Sequence, residues 1–316
     1  MNTVSTVFSA LLPIFVIVAA GFVCRRVNWL SEEADRSLMR VVVNLLYPCL
    51  IFSFVVGNDA LRNPLSILFP PLIGFTMVIA GFGIALFVAR TFGLGAPRQQ
   101  RTFAFSVGIF NYGYFAIPLS LLLFGREVTG ILLVFNIGVE VALWAVGVGF
   151  ILGGEAKSRW KKLFSPPVCA LLVAIPINIL RLDQWLPDFV FEAIDLLAAC
   201  AIPLGVLLIG ATLADLTRGF TLRNQLAIPA WGSALRLAIL PAIFIFAAWV
   251  IPFSPELRGV ILVQAAMPCG ILPIVLARHY GGDPDTAVKV ILPSIVLSLA
   301  TIPFWIAVGL PLLKLN

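Results

Sequence analysis

Apolar stretches of roughly 20 residues recur along the whole chain, and they constrain its fold more than any other feature. A helix of about 20 residues spans the roughly 30 Å hydrocarbon core of a bilayer. Only 11% of the 316 residues are charged and 61% are hydrophobic, whereas soluble domains are about one-quarter charged. The sequence therefore predicts an all-α polytopic membrane protein with ten membrane-spanning segments, at about 4–24, 38–57, 65–90, 102–124, 128–152, 166–181, 190–214, 225–251, 257–278 and 287–313.

Lysine and arginine residues predict how these segments are oriented. If the first segment runs from the outside inward, fifteen basic residues fall in cytoplasmic loops and five in outer loops. Positive charge is enriched in cytoplasmic loops of membrane proteins, so both termini are expected on the non-cytoplasmic side. We therefore interpret the net charge of +6 as a signal of membrane orientation. No basic residues group on a soluble domain, so we expect no nucleic-acid partner.

Two segments contain helix-breaking residues near their middle: 110–119 in the fourth segment and 264–273 in the ninth. Proline removes a backbone donor and clashes with the preceding turn. Freed backbone groups are tolerated in a membrane only where protein or a water-lined cavity satisfies them. A pair of interrupted spans in two halves indicates the binding site of a transporter. The sequence predicts interruptions near 111–118 and 266–273 that cross in mid-membrane.

The most polar stretch, 153–164, divides the segments five and five. An odd number of spans in each half inverts the second half relative to the first. We therefore predict two five-helix repeats, 1–155 and 156–316. Prolines in the second, fourth, seventh and ninth segments follow in the same order in both halves: Pro48, Pro118, Pro203 and Pro273.

Four short motifs resemble those of the auxin efflux carrier family. They are Leu46-Tyr47-Pro48-Cys49-Leu50, Asn111-Tyr112-Gly113 with Ile117-Pro118-Leu119 and Phe124-Gly125, Ile202-Pro203-Leu204 with Gly210, and Met267-Pro268 with Ala277-Arg278-His279-Tyr280-Gly281. The resemblance covers the whole chain. The central loop is short, unlike that of the plant proteins, so the chain looks like a bacterial member in the inner membrane.

The resemblance implies a ten-helix inverted-repeat fold similar to that of bile acid sodium symporters. Spans three to five and eight to ten would form a transport domain, and spans one, two, six and seven a scaffold that often dimerises. It implies a secondary-active transporter of small organic anions, such as malate, malonate or auxin-like acids, with a coupling proton or sodium ion. Substrate would bind where helices four and nine cross, near Asn111, Tyr112, Gly113, Pro118, Gln264, Pro268 and Pro273, with Asn44 facing them from span two.

The amide side chains of Asn111 and Gln264 are the polar groups closest to the two breaks. An amide both donates and accepts hydrogen bonds, so each suits either a carboxylate ligand or a structural role. For Asn111 the structural alternative is a cap of the broken helix. For Gln264 it is an interhelical hydrogen bond, the role that we also expect for Asn136 and Asn178. Half-helix N-termini would add an electrostatic attraction for anions.

Glu140 and Arg236 fall near the middle of the fifth and eighth segments. Ionisable groups at that depth usually face the bundle interior and pair. We predict a structural ion pair between them; a substrate-binding Arg236 or a coupling role for Glu140 are the alternatives. Asp195, in the outer part of segment seven, is either interfacial or a proton-binding group.

The chain lacks the motifs of the main alternative classes. It has no His-Glu-x-x-His motif and no phosphate-binding Gly-x-x-x-x-Gly-Lys-Ser/Thr loop, so neither a zinc enzyme nor an ATP-driven pump is expected. His279 is the single histidine, and we expect no metal site and no cofactor. A ligand sensor or channel on the same fold, or an ion-coupled importer similar to the bile acid symporters, remains an alternative.

Overall fold

The structure is a computed structural model that describes residues 3–153, 164–218 and 226–315. Within these ranges the chain is helical, and the only strand-like feature is one isolated bridge. The helices are α1 Thr3–Arg26, α2 Glu32–Val55, α3 Pro64–Thr91, α4 Pro97–Gly108, α5 Ala116–Val141, α6 Pro166–Ile179, α7 Asp188–Leu216, α8 Ala227–Val250, α9 Pro255–Ala266, α10 Leu272–His279 and α11 Pro284–Leu312.

Six helices of the described ranges are long and apolar enough to cross a membrane: α2, α3, α5 with its continuation to Gly149, α7, α8 and α11. The apolar α6 is shorter. The predicted fourth and ninth segments are each divided into two helices, α4 with the start of α5, and α9 with α10. Gly125, at φ 77°, interrupts α5 where the predicted fourth segment ends. The predicted divide between the repeats falls largely on 154–163, outside the described residues.

The interruptions occupy residues 109–115 and 267–271. The first begins two residues before the predicted range 111–118, and the second lies within the predicted range 266–273. Pro118 and Pro273 lie within the first turn of α5 and α10. Proline is tolerated there because the first N–H groups of a helix have no intrahelical acceptor. These two prolines therefore begin the second half-helices, whereas Pro268 lies inside its interruption.

Glycines allow two pairs of helices to pack at backbone distance. A Cβ at Gly21 of α1 would lie 1.9 Å from the Leu207 carbonyl oxygen of α7. A Cβ at Gly138 of α5 would lie 1.7 Å from the carbonyl oxygen of Pro71 in α3. Helix α2 packs on α6 and α7, while α4 packs on α3, and α8 and α9 pack on α11. The helices thus form two closely packed groups, α1 with α2, α6 and α7, and α3 to α5 with α8 to α11.

Polar contacts join the start of α4 to the loop before α11. The Arg98 guanidinium donates to the Gly282 carbonyl, and the Gln99 amide donates to the Asp283 carboxylate at 3.3 Å. The Thr286 hydroxyl donates to the same carboxylate at 2.6 Å. Partial burial raises the pKa of Asp283, but these two hydrogen bonds and the Arg98 charge outweigh it and leave the pKa below its ordinary value.

Candidate substrate site at the two interrupted helices

The two interruptions bind each other through their backbones. The Asn111 amide N–H donates to the Pro268 carbonyl at 2.8 Å, and the Gly270 N–H donates to the Ile109 carbonyl at 2.8 Å. Phe110 and Cys269 thereby form an isolated antiparallel bridge. Backbone groups freed by breaking two helices are satisfied by each other, as burial requires. Segments more than 150 residues apart in the sequence therefore meet at one point.

Asn111 is 5% exposed, and its Oδ1 accepts a hydrogen bond from the Phe115 N–H at 3.4 Å. This acceptor lies at the start of α5, where the first N–H groups need partners. The structural alternative for Asn111, a cap of the broken helix, is thus present. Its Nδ2 makes no hydrogen bond to another described residue, so within those residues the donor half of the amide is not engaged.

A hydrogen-bonded chain of three residues connects the first interruption to the end of α9 through α5. The Asn136 Nδ2 donates to the Tyr112 carbonyl at 3.0 Å, and the Gln264 Nε2 donates to the Asn136 Oδ1 at 2.9 Å. The interhelical hydrogen bond expected for Asn136 is thus present, and it is also the structural alternative stated for Gln264. Asn178, for which an interhelical bond was also expected, instead donates from its Nδ2 to the carbonyl of Asn58 in the loop after α2, at 2.9 Å. The Gln264 Oε1 is buried and has no hydrogen-bond partner among the described residues.

Tyrosines of the first interruption face the other packed group. The rings of Tyr114 and Tyr47 meet edge to face with centroids 5.5 Å apart. A Cβ at Gly205 of α7 would lie 2.4 Å from the Tyr114 ring. A Cβ at Gly113 would lie 3.1 Å from the Tyr47 hydroxyl. The interruption thus lies against α2 and α7, next to the motif prolines Pro48 and Pro203 of these helices.

Asn44 and Asp195 lie outside this cluster. The Asn44 side chain is exposed and donates to the Arg40 carbonyl of its own helix at 2.8 Å. It makes no hydrogen bond to either interruption within the described ranges. Asp195 is exposed and accepts a hydrogen bond from the Ser53 hydroxyl of α2. Ser53 in turn accepts from Arg126, which follows the Gly125 break, through its carbonyl at 2.6 Å.

The predicted ion pair between Glu140 and Arg236 is wrong. Glu140 accepts hydrogen bonds from the Tyr112 hydroxyl at 2.6 Å and from the Trp144 indole at 2.9 Å. Arg236 instead donates to the backbone carbonyls of Gln264 and Ala265 at the end of α9 and of Met267 in the second interruption. Among the described residues, neither makes an ion pair. Both charged groups contact an interruption, one through Tyr112 and the other through backbone, so each has a local partner.

The cluster provides hydrogen-bond donors and positive partial charge. The N-termini of α5 and α10 begin directly after the two interruptions, and helix N-termini attract anions. Among described residues, no acidic side chain other than Glu140 hydrogen-bonds to either interruption. No cluster of three or more potential metal ligands occurs in those ranges. The arrangement suits a small anion with hydrogen-bond acceptors, such as a carboxylate.

Interrupted spans in two halves of a chain indicate the binding site of a transporter, and sequence comparison identifies the same class. A family model described as "membrane transport protein" matches residues 6–159 and 154–306, so the chain belongs to this family, which includes the auxin efflux carriers. The chain is an integral membrane protein of this family.

Similar proteins match along nearly the whole chain. The chain is 29% identical over 309 residues to an uncharacterized transporter of Methanothermobacter thermautotrophicus, covering 96% of this chain and 98% of that protein. It is 22% identical over 350 residues to auxin efflux carrier component 8 of Arabidopsis thaliana, covering 93% and 95%. It is 21% identical over 319 residues to the uncharacterized transporter YfdV of Escherichia coli strain K12, covering 95% and 96%.

Proposed function

We propose that this protein is a secondary-active transporter of small organic anions, carboxylates such as malate, malonate or auxin-like acids. The substrate binds at the crossing of the two interrupted helices, and alternating access moves that crossing relative to the scaffold. One observation carries the proposal. The two interruptions hydrogen-bond to each other through Asn111 and Pro268, and through Gly270 and Ile109, as expected where broken helices form a transporter's binding site.

The proposal includes a ten-helix fold made of two inverted five-helix repeats, 1–155 and 156–316. We assign α1, α2, α6 and α7 to a scaffold and α3 to α5 with α8 to α11 to a transport domain. The division into two closely packed groups supports this assignment. We further propose a homodimer formed through the scaffold, and coupling to a proton or a sodium ion.

Within the site, we propose that Asn111 donates to the substrate carboxylate through Nδ2. Tyr112, Gly113 and Pro118 shape one side of the site, and Gln264, Pro268 and Pro273 shape the other. The free Nδ2 of Asn111 and the two helix N-termini support an anion at this position. Asn44 is left out of the proposed site because its amide is engaged within α2.

Counterflow in proteoliposomes tests the proposed activity. Vesicles loaded with unlabelled malate, malonate or indole acetate should accumulate the same labelled acid, and protein-free vesicles should not. A ligand sensor would bind one of these acids and raise its own melting temperature without counterflow. A channel would equilibrate the label without transient accumulation. An importer of the bile acid symporter type would transport taurocholate in place of the small acids. Each of these three results would contradict the proposal.

We also propose an inner-membrane location with both termini on the non-cytoplasmic side. Single cysteines at Ser158 and Leu315, in a protein lacking its five native cysteines, should then react from opposite sides of the membrane. The cytoplasmic excess of basic residues motivates this expectation. Labelling of both positions from one side would refute the ten-span topology.

A further inference from the structure

Arg236 is a buried cation that has no acidic partner among the residues that the structure describes. Its side chain is 0% exposed, and it is the largest of the fully buried side chains in the described ranges. No carboxylate of those ranges lies within ion-pair distance of its guanidinium. Removing an unpaired charge from water is costly, so other groups must stabilise it.

Backbone oxygens at the end of α9 surround this guanidinium. Its Nε donates to the Met267 carbonyl at 2.8 Å. One terminal nitrogen donates to the carbonyls of Gln264 and Ala265 at 3.1 and 2.9 Å. These oxygens lie at the C-terminus of an interrupted helix, which carries partial negative charge and carbonyls without intrahelical donors. The helix end therefore presents a cation site, and Arg236 fills it.

The same guanidinium contacts the other interruption. Its central carbon lies 4.9 Å from the centroid of the Phe110 ring, within the range of a cation–π contact. Phe110 is the residue that bridges Cys269 through the backbone. One positive charge thus contacts both broken segments at the point where they meet.

Helix α8 departs from regular α-helical geometry at Arg236. Arg236 lies in a π-helical segment, Leu235–Ile239, within α8. The indole of Trp305 in α11 donates to the Leu237 carbonyl of this segment at 2.7 Å. π-Helical turns are rare and occur frequently at functional sites. The position of the guanidinium is therefore fixed both by its own bonds and by a neighbouring helix.

We propose that the Arg236 guanidinium is a resident cation that takes the place of a soluble coupling cation at the crossing. Transporters with broken helices use half-helix C-termini and unwound carbonyls to coordinate sodium, and here a covalently attached charge occupies those oxygens. The crossing accordingly has no site for sodium at the end of α9, so this inference leaves the proton as the coupling ion of the two named in the proposed function. The consequence for transport rests on the proposed function, whereas occupancy of the cation site does not.

The wild-type protein provides the first test. Its melting temperature in detergent should be the same in sodium, potassium and choline chloride at equal ionic strength. Anion counterflow should differ by less than about twofold among these salts, a difference of under about 0.4 kcal/mol. A specific rise of melting temperature with sodium, or a tenfold stimulation of counterflow by sodium, would overturn the proposal.

Substitution of Arg236 provides the second test. Arg236→Ala should melt several degrees lower than wild type, and millimolar guanidinium, far below denaturing concentrations, should restore part of the loss. Arg101→Ala removes an exposed arginine of α4 and should show neither effect. Arg236→Lys keeps the charge but not the planar fork and should melt between wild type and Arg236→Ala. Absence of guanidinium rescue in a folded Arg236→Ala protein would show that Arg236 is only a packing group.

The two tests separate this inference from the proposed function. Guanidinium rescue of melting temperature without counterflow of any acid would refute the anion carrier and leave the resident cation standing. Counterflow that requires sodium would refute the resident cation and leave the anion carrier standing. If Arg236→Ala does not fold, the wild-type salt comparison and the Arg236→Lys variant decide the question.

Discussion

The donor half of the Asn111 amide should be worth one to two orders of magnitude in substrate affinity. Its Oδ1 already accepts from the Phe115 N–H, while its Nδ2 is the group that we assign to the carboxylate. A hydrogen bond to a charged group contributes about 1.5–3 kcal/mol, which corresponds to roughly 10–150-fold in affinity. The capping bond is long, at 3.4 Å, so its loss should cost only about 0.5 kcal/mol.

Two substitutions separate these roles. Asn111→Ala removes donor and acceptor, so the KM for counterflow should rise about 10–150-fold and the melting temperature should fall by only about 1–2 °C. Asn111→Asp has nearly the same shape and keeps the acceptor for Phe115, but it replaces the donor with an oxygen and adds negative charge. Burial of that charge at a position that is 5% exposed should lower the melting temperature more than Asn111→Ala does, and counterflow should be lost more completely.

Counterflow of the labelled acid that wild type transports best, and melting in detergent, measure the two effects on one preparation. Gln184→Ala, an exposed position in the short 3-10 helix Leu182–Trp185, is the matched amide control and should change neither. A wild-type KM in a well-folded Asn111→Ala protein would refute the assignment. So would counterflow in Asn111→Asp equal to that of wild type.

Three further predictions concern coupling, packing and pH. The effects of Glu140→Gln and Arg236→Gln on the free energy of unfolding should add to within about 0.5 kcal/mol. Asn136→Ala and Gln264→Ala should couple by more than that, because these side chains hydrogen-bond directly. Double-mutant cycles of unfolding measure both, and coupling between the charged pair would contradict the structure. Gly138→Ala should destabilise by about 3 kcal/mol or more because its Cβ overlaps the Pro71 carbonyl, whereas Gly83→Ala, with nothing within 4 Å, should be neutral or stabilising in thermal melts. The lowered pKa of Asp283 contributes stability that is present above about pH 4 and is lost as pH falls through the folded-state pKa. The difference in melting temperature between wild type and Asp283→Asn should therefore narrow below about pH 4. A difference that stays constant with pH would refute this reasoning.

The sequence predicts that two helices break, but not where each break begins. Proline content predicts which two segments are interrupted, and Pro268 lies inside its interruption. Pro118 and Pro273 proved to start half-helices, because a proline in a first turn costs nothing. The first interruption begins where the backbone of Ile109 and Asn111 hydrogen-bonds to Gly270 and Pro268 of the second. That pairing is non-local, so no pattern within either segment encodes it.

Position along a segment can be counted from the sequence, whereas side-chain direction cannot. Glu140 and Arg236 each fall near the middle of a predicted segment, and the prediction of an ion pair rests on that position alone. The π-helical segments at Leu235–Ile239 and Ala142–Ile151 change the helical phase, and a prediction based on 3.6 residues per turn cannot include them. Asn136 was assigned only an interhelical bond, yet it connects Gln264 to Tyr112. Its spacing of four residues from Glu140 on α5 was the available signal, since both then lie on one face.

The separation of Glu140 from Arg236 has an electrostatic consequence for the proposed site. A direct ion pair would have cancelled the cation, and the carbonyls at the end of α9 would have needed other donors. Instead Glu140 is held by Tyr112 and Trp144, and Arg236 neutralises the negative end of α9. Among the described residues, no acidic side chain hydrogen-bonds to the first turns of α5 and α10. An anionic substrate would be the missing partner of these two helix ends, which is why we expect the crossing to bind a carboxylate more strongly than any neutral analogue of the same shape.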